Sequence, residues 1–239
     1  MIYGFIIAAG NQTRFNSDVP KALSKIGDRT CLDVNIERLN KVCDTVYVVC
    51  SNEKIEYFKD YNYIAIKSGQ GCGDAIMKAL DKAEIKIHDR CFIQWGDSII
   101  DESVYKALKR NMLKWSDVVV ACRYEDNPYV KVNVSNNMIY GIDFSKYGEV
   151  SGSGFHDLSV FYGRADTILR YCNEFYNIFY NIDHYSHIHG NEFNFLDLFN
   201  DTAIMGNIVK FEDNIKSYSF NTEEEYNEMI EELGELIWR

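Results

Sequence analysis

Short apolar runs alternating with helical patterns predict an α/β fold built on a mostly parallel sheet covered by helices. Ile2–Ala8, Thr45–Cys50, Ile64–Lys67, Cys91–Trp95 and Asp117–Ala121 are rich in Val, Ile, Phe and Tyr, as strands buried on both faces require. Between them, from Gly73-Asp74 onward, Ile76, Ala79, Leu80 and Ala83 fall on one helix face, and Val104, Ala107, Leu108 and Asn111 partly repeat that spacing. In sheets of this kind ligands lie beyond the carboxyl ends of the strands, and the segments after Ala8, Lys67 and Trp95 are all polar and contain Gly. After Arg123 the regularity weakens. Val130–Val134 and Met138–Ile142 read as a hairpin turning at Asn136-Asn137, Ser159–Tyr162 as another strand, and Ala165–Phe179 and Thr222–Trp238 as helices.

A chain of 239 residues, 46% of them hydrophobic, can bury a substantial core. It holds only two prolines and neither a Ser/Gly-rich linker nor a solenoid repeat, so nothing marks a domain cut. The formal charge of -11 argues against a nucleic-acid partner, because binding to phosphates in a duplex rests on Lys and Arg displacing counterions. Seven cysteines without a C-x-x-C pair suit reduced thiols better than a disulfide framework or a zinc site. The apolar run at the N-terminus is too short for a membrane span and has no basic region before it, so the expected location is the cytoplasm, with no membrane partner.

The first strand opens at Gly10 into Asn11-Gln12-Thr13-Arg14-Phe15, with Pro20-Lys21 shortly after. Backbone N–H groups at such a turn can meet phosphates where Gly10 allows close approach. Arg14 could span two phosphate oxygens with its planar fork, and Lys21 offers a mobile point charge. Taken alone, one Gly and two cations are better explained by an ordinary turn with solvated side chains.

The order of these residues adds more. Ala8-Ala9-Gly10-x-x-Thr13-Arg14-Phe15, then Pro20-Lys21-Ala22-Leu23, then Ile26-Gly27-Asp28 and Leu32 resemble the signature of the nucleoside triphosphate transferase family, which includes sugar-1-phosphate nucleotidyltransferases and small cytidylyltransferases. Gln12 stands where that family usually has its second Gly. Gly71-Cys72-Gly73-Asp74-Ala75-Ile76, preceded by Gln70, resembles the element that lies against the nucleobase and ribose. Ile93-Gln94-Trp95-Gly96-Asp97-Ser98 resembles the strand-end Gly-Asp pair whose Asp binds the divalent ion, and Tyr218–Glu225 the closing element whose Asn, here Asn221, completes the metal site. Asn221 or Thr222 would equally serve as a helix N-cap.

The resemblance implies a Rossmann-like three-layer α/β sandwich around a mixed, mostly parallel sheet: a single domain over 1–239, with a nucleotide-binding part over about 1–125 and an acceptor-binding part over about 126–239. It implies Arg14 and Lys21 as catalytic residues. Nucleotide contacts fall to Ala8, Ala9, Gly10, Asn11, Gln12, Thr13, Gln70, Gly71, Cys72 and Asp74, and Mg2+ ligation to Asp97 and Asn221. The expected reaction transfers a nucleoside monophosphate from an NTP, with CTP favoured, to a phosphorylated small-molecule acceptor and releases pyrophosphate. The compact chain looks closest to cytidylyltransferases that activate groups for cell-surface polymers, such as phosphocholine or phosphoglutamine. A sugar-1-phosphate enzyme using another NTP, and a non-catalytic nucleotide sensor, are the alternatives; a homodimer is admitted. His156 and Glu192 are candidate acceptor contacts: Gly152–Asp157 reads as a pocket-lining turn or an ordinary hairpin loop, and Asn191–Leu196 resembles an acceptor-side segment. The His184-Tyr185-Ser186-His187-Ile188-His189 run reads as a polar loop rather than a metal site, with acceptor contact as the alternative.

Overall fold

The computed structural model describes residues 1–10, 15, 19–67, 70–212 and 214–234. A nine-stranded sheet runs through them. Its strands are β1 (Ile2–Ile7), β2 (Thr45–Ser51), β3 (Tyr63–Ile66), β4 (Arg90–Trp95), β5 (Val118–Glu125), β6 (Val130–Ser135), β7 (Met138–Phe144), β8 (Gly154–Arg164) and β9 (Gly206–Phe211). Their spatial order is β3-β2-β1-β4-β8-β5-β9-β7-β6, with an additional pairing of β8 to β6. The β3-β2-β1-β4 block and the β5–β9 pair are parallel, whereas β7 and β8 run against the rest. The sheet is therefore mixed and mostly parallel, as expected.

Helices cover both faces. On one, α2 (Cys72–Lys82) and α4 (Ala165–Phe179) pack Ile76, Leu80, Ile168 and Phe175 onto Phe5, Ile93 and Phe161. On the other, α1 (Cys31–Asn40) and α3 (Glu102–Asn111) pack Leu32, Leu39, Val104 and Leu108 onto Ile6, Val48 and Phe92. Successive strand residues such as Phe92 and Ile93 thus enter opposite layers, which is why these runs are apolar throughout rather than alternating. Each fully buried side chain of this size contributes about 1.5–3 kcal/mol. A smaller cluster of Ile26, Ile99, Phe220, Met229 and Leu233 seats α5 (Glu223–Gly234).

Local chemistry sets several boundaries. Thr30 and Asp33 form a reciprocal capping box that starts α1, and the Asp101 carboxylate accepts the Ser103 N–H at 2.8 Å at the start of α3. The β6–β7 hairpin turns at Asn136 (φ 51°) and Asn137 (φ 65°), the left-handed pair that a two-residue hairpin loop demands. Helix α4 occupies the predicted span. Helix α5 starts one residue later than expected, and the end of the predicted helix lies outside the described residues.

Three differences from expectation matter. Strand β8 begins at Gly154, not Ser159, so Gly154–Asp157 is strand rather than the expected turn or loop. The extended run was hidden by a bulge between Asp157 and Phe161, where Ser159 adopts φ 62° and breaks the alternation. Strand β9, between β5 and β7, was not foreseen because Gly206-Asn207 and Lys210 dilute its apolar signal. A short ribbon pairing Ser98–Ile100 with Ser217–Ser219 was also not foreseen. Among the described residues no helix is long and apolar enough to cross a membrane.

Candidate active site

Register brings the expected loops to one edge. Ile7, the last residue of β1, lies beside Trp95, the last of β4, so both chains leave the sheet at the same level. The Gly96 N–H donates to the Ile7 carbonyl at 2.9 Å. A Cβ on Gly96 would stand 3.0 Å from that oxygen and 3.2 Å from the Ala22 Cβ, so glycine lets the chain cross the end of β1 before it turns to Asp97.

The backbone on the C-terminal side of Asp97 is held firmly. The Ser98 carbonyl accepts from the Asn35 amide at 2.7 Å and the Gln94 amide at 3.2 Å, and the Tyr105 hydroxyl donates to Gln94 Oε1 at 2.7 Å. Ser98 faces Ser219 in the short ribbon, and the Phe220 N–H donates to the Asp97 carbonyl at 3.3 Å. That ribbon delivers Asn221 to the side of Asp97 from more than a hundred residues away. Lys21 completes the group from the turn Lys21–Leu23, which Pro20 starts with φ -54°. Its Nζ stands 3.5 Å from Asp97 Oδ2 and 3.4 Å from the Phe220 carbonyl.

A cleft of about 630 Å³ opens over this edge, within the range typical of small-molecule sites. Ala9, Gly10, Gln70, Gly71, Cys72, Asp74, Asp97 and Asn221 line it, and at the far side so do His156 and Glu192. An adjoining pocket of about 110 Å³ is lined by Ala8, Gly10, Lys21 and Asp97. Three chain segments widely separated in sequence therefore converge. Asn11, Gln12, Thr13 and Arg14 lie outside the described residues.

The Gln70–Asp74 segment has a different internal logic from the one expected. Gly71 sits at φ 94° and ψ 170°, and a Cβ there would come within 2.3 Å of the Phe193 carbonyl oxygen. A Cβ on Gly73 would meet the Phe193 ring at 2.6 Å. The Phe193 N–H donates to the Gln70 carbonyl at 2.9 Å, and the Gly73 N–H donates to the Phe193 carbonyl at the same distance. Both glycines thus make room for Phe193 and join the Asn191–Leu196 segment to the start of α2. Asp74 is 2% exposed, and its oxygens are engaged by Lys78 Nζ at 2.5 Å and the Tyr185 hydroxyl at 3.0 Å, so this carboxylate anchors the helix start. Burial pushes the Cys72 thiol up to about 12, leaving it a neutral packing group. The Gln70 amide nitrogen donates to the Asp183 carbonyl at 3.0 Å, while Gln70 Oε1 is buried with no hydrogen-bond partner among the described residues.

The reversed direction of β8 builds the other half of the cleft. Val160 pairs with Gln94, so residues preceding Val160 project past the end of β4, where His156, Asp157 and Ser159 line the opening. His156 Nδ1 lies 3.2 Å from the Val130 carbonyl, and Asp157 Oδ1 accepts the Ser159 N–H at 3.0 Å across the bulge. Glu125 and Tyr129 add a carboxylate and a ring. His156 was a candidate from the sequence; Asp157, Ser159, Glu125 and Tyr129, together with Trp95 and Lys54, whose Nζ donates to the Gly10 carbonyl at 3.1 Å, were not singled out as site residues. Trp95 alone carried a signal, as the last residue of an apolar run before Gly-Asp.

The expectation for the histidine run needs correcting. His184 is exposed, but the side chains of His187 and His189 are 1% and 6% exposed and face carboxylates. Tyr185, His187 and His189 alternate with outward-facing His184, Ser186 and Ile188, a two-residue period that a search for zinc spacings passes over.

Residues 4–161 match the MobA-like NTP transferase domain. The bifunctional protein GlmU of Buchnera aphidicola is 31% identical over 165 residues, 65% of this chain and 34% of that protein, so the chain spans about a third of the relative's length. Among solved structures, HddC from Yersinia pseudotuberculosis superposes with a TM-score of 0.70 at 19% identity, over 98% of this chain and 100% of that one. The inositol-1-phosphate CTP transferase from T. maritima gives a TM-score of 0.70 at 15% identity, over 98% of this chain and 96% of that one. The structural likenesses speak to the fold, and the domain match covers most of the chain, including the strand-end loops after β1 and β4. The chain belongs to the MobA-like NTP transferase domain family of nucleotidyltransferases.

Proposed function

We propose that the protein transfers a nucleoside monophosphate from an NTP, with CTP favoured, to a phosphorylated small acceptor and releases pyrophosphate, activating a group such as phosphocholine or phosphoglutamine for a cell-surface polysaccharide. The observation that carries the reading is the convergence of Lys21, Asp97 and Asn221 at one edge of a cleft of about 630 Å³. An acceptor phosphate has its second pKa near 6 and is largely ionised at neutral pH, so its oxygen can attack the α-phosphorus in line without a dedicated base. The chain must then supply alignment and positive charge. Lys21 draws the attacking and attacked phosphates together, and Arg14 stabilises the departing pyrophosphate. Asp97 and Asn221 are oxygen donors of the kind Mg2+ accepts alongside substrate phosphates, and the ion, when bound, would neutralise charge on those phosphates.

The preference for CTP is carried over from the resemblance; Gln70 lines the cleft, where its side-chain amide could hydrogen-bond the edge of a nucleobase. Glu125, Tyr129, Trp95 and Glu192 give the acceptor side anionic and aromatic groups, suited to an ammonium-bearing acceptor. The second reading, a sugar-1-phosphate nucleotidyltransferase using another NTP, is favoured by the 31% identity with GlmU, and the same carboxylates could accept sugar hydroxyls. Pyrophosphate release with each of the four NTPs, against phosphocholine, phosphoglutamine and a panel of phosphorylated sugars and polyols, with and without Mg2+, separates the two. Turnover with CTP and an ammonium-bearing phosphate is the expected result. Nucleotide binding without turnover in any combination would leave a nucleotide sensor.

A further inference from the structure

Away from the cleft, His187 and His189 close around Asp197 in a buried group. One ligand atom from each of the three residues lies within 4.8 Å of the other two. Nδ1 of His189 is 2.8 Å from Asp197 Oδ1, and Nδ1 of His187 is 3.8 Å from Asp197 Oδ2. The remaining ring nitrogens both turn to other carboxylates: His187 Nε2 lies 3.0 Å from Asp201 and His189 Nε2 lies 2.9 Å from Glu149. The Asp197 side chain is fully buried, and Phe175, Phe179 and Phe144 pack around the two rings.

Two imidazoles with one nitrogen turned inward to a shared carboxylate, and the other held by an outer carboxylate, form the arrangement by which proteins orient histidine ligands. We propose that His187, His189 and Asp197 bind one divalent transition-metal ion of the zinc class, with Asp201 and Glu149 fixing the rings. Donor atoms on a zinc ion stand about 2.0–2.2 Å from it and therefore at most about 4.4 Å apart, so the three residues, whose ligand atoms lie within 4.8 Å of one another, would draw in slightly by ring rotation to share one ion. Three carboxylates facing two imidazoles leave an excess of negative charge in a largely buried place, which a divalent cation offsets. The His189 N–H, which donates to His187 Nδ1 at 3.2 Å, would yield that lone pair to the metal. Imidazole donors set this site apart from the all-oxygen pair Asp97 and Asn221, since Mg2+ prefers oxygen and zinc accepts nitrogen.

Such an ion would staple the segment carrying His187 and His189 to Asp197, the residue just before the short helix Leu198–Asp201. That segment buttresses the cleft: the Tyr185 hydroxyl donates to Asp74, and Phe193 is bonded to Gln70 and Gly73. The ion would therefore have a positioning role, distant from the reacting phosphates.

The test is metal content. The full chain, equilibrated with Zn2+ and passed through gel filtration in excess Mg2+, should retain about one zinc by elemental analysis, and Co2+ in its place should give visible absorption bands of nitrogen and oxygen ligation. His187→Gln with His189→Gln should lose the ion, while Asp201→Asn or Glu149→Gln should weaken binding about 10–100-fold. Zinc below one-tenth of an equivalent in the wild-type chain overturns the proposal and leaves a hydrogen-bonded network. A full equivalent that persists in a folded double variant overturns it too, by locating the ion elsewhere. If the double variant does not fold, wild-type stoichiometry and the two outer-carboxylate variants decide the matter.

Discussion

Two glycines that look alike in the sequence should behave in opposite ways when replaced by alanine. At Gly71 the backbone has φ 94° and ψ 170°, a region open almost only to glycine, and occupying it with alanine costs about 1–3 kcal/mol. The added Cβ would also stand 2.3 Å from the Phe193 carbonyl oxygen, a backbone atom that cannot swing aside as a side-chain end can. The two terms together give about 3 kcal/mol or more. For a chain of this length each kcal/mol lowers the melting temperature by about 2–4 °C, so Gly71→Ala should melt about 6–12 °C early. At Gly10 an added Cβ meets no described atom within 4 Å, and its φ is not in the left-handed region, so Gly10→Ala should stay within about 0.5 kcal/mol of wild type. Its defect should lie in nucleotide affinity, because the methyl group projects where phosphates would approach the backbone; one lost charged hydrogen bond is about 1.5–3 kcal/mol, or about 10–150-fold in Kd. Differential scanning fluorimetry and calorimetric titration with a non-hydrolysable NTP measure both quantities. A Gly71→Ala protein melting within about 2 °C of wild type would refute the packing argument, and a Gly10→Ala protein that binds NTP normally would refute the phosphate argument.

On the proposed mechanism, Lys21→Ala removes a cation that would face the reacting phosphates and Asp97→Ala a carboxylate that would hold Mg2+, so each should fold and lose about 10²–10³ in kcat; stopped-time pyrophosphate assays check this, and a near-native rate in either removes that residue from the mechanism. Tyr185→Phe leaves one oxygen of the buried Asp74 without its 3.0 Å donor and should lower stability by about 1–3 kcal/mol, read from the urea midpoint. Burial pulls the Asp33 carboxyl upward, but hydrogen bonds from the Thr30 backbone and hydroxyl and the Tyr61 hydroxyl, with Arg29 nearby, outweigh it and hold the folded value below the ordinary one. The stability Asp33 contributes is thus fully present above its unfolded pKa of about 3.9 and is lost as pH falls through the lower folded value. Urea midpoints from pH 5 down to pH 3 should therefore decline less in Asp33→Asn than in wild type; parallel declines would contradict the assignment.

How far each feature could be read from residues alone depended on how local its cause was. The β1 to β4 strands and α2 announce themselves because burial on both faces leaves unbroken apolar runs and one helix face shows a regular stripe. Asp97 and Gln70 follow from position, since each lies a few residues beyond the end of a parallel strand, where side chains are free to face a ligand, whereas Lys21, well past the end of β1, follows from the resemblance. Asn221 was within reach only through its resemblance to a family element. Its physical cause, the Ser98–Ile100 ribbon with Ser217–Ser219, is a pairing of two three-residue segments too short to carry a pattern.

The acceptor half was less legible for a topological reason. In a purely parallel sheet every ligand-facing residue follows a strand, and a search along the sequence looks there. Because β8 runs backwards between β4 and β5, its first residues reach the cleft, and His156, Asp157 and Ser159 therefore sit inside a strand rather than after one. The bulge that turns Ser159 to φ 62° also shifts the alternation, so no period in the sequence marks which of these side chains face the opening. The same reversal has a chemical consequence. It puts backbone turns and Lys21 on a parallel half, where the proposed mechanism needs them for phosphates, and carboxylates and rings on the facing wall of an antiparallel half. The two sides of the cleft can then change independently, since the register that fixes Trp95 beside Ile7, and with it the exit toward Asp97, does not depend on which side chains β8 presents. Exchanging Glu125 or Glu192 should accordingly alter which acceptor is used while leaving NTP affinity in place.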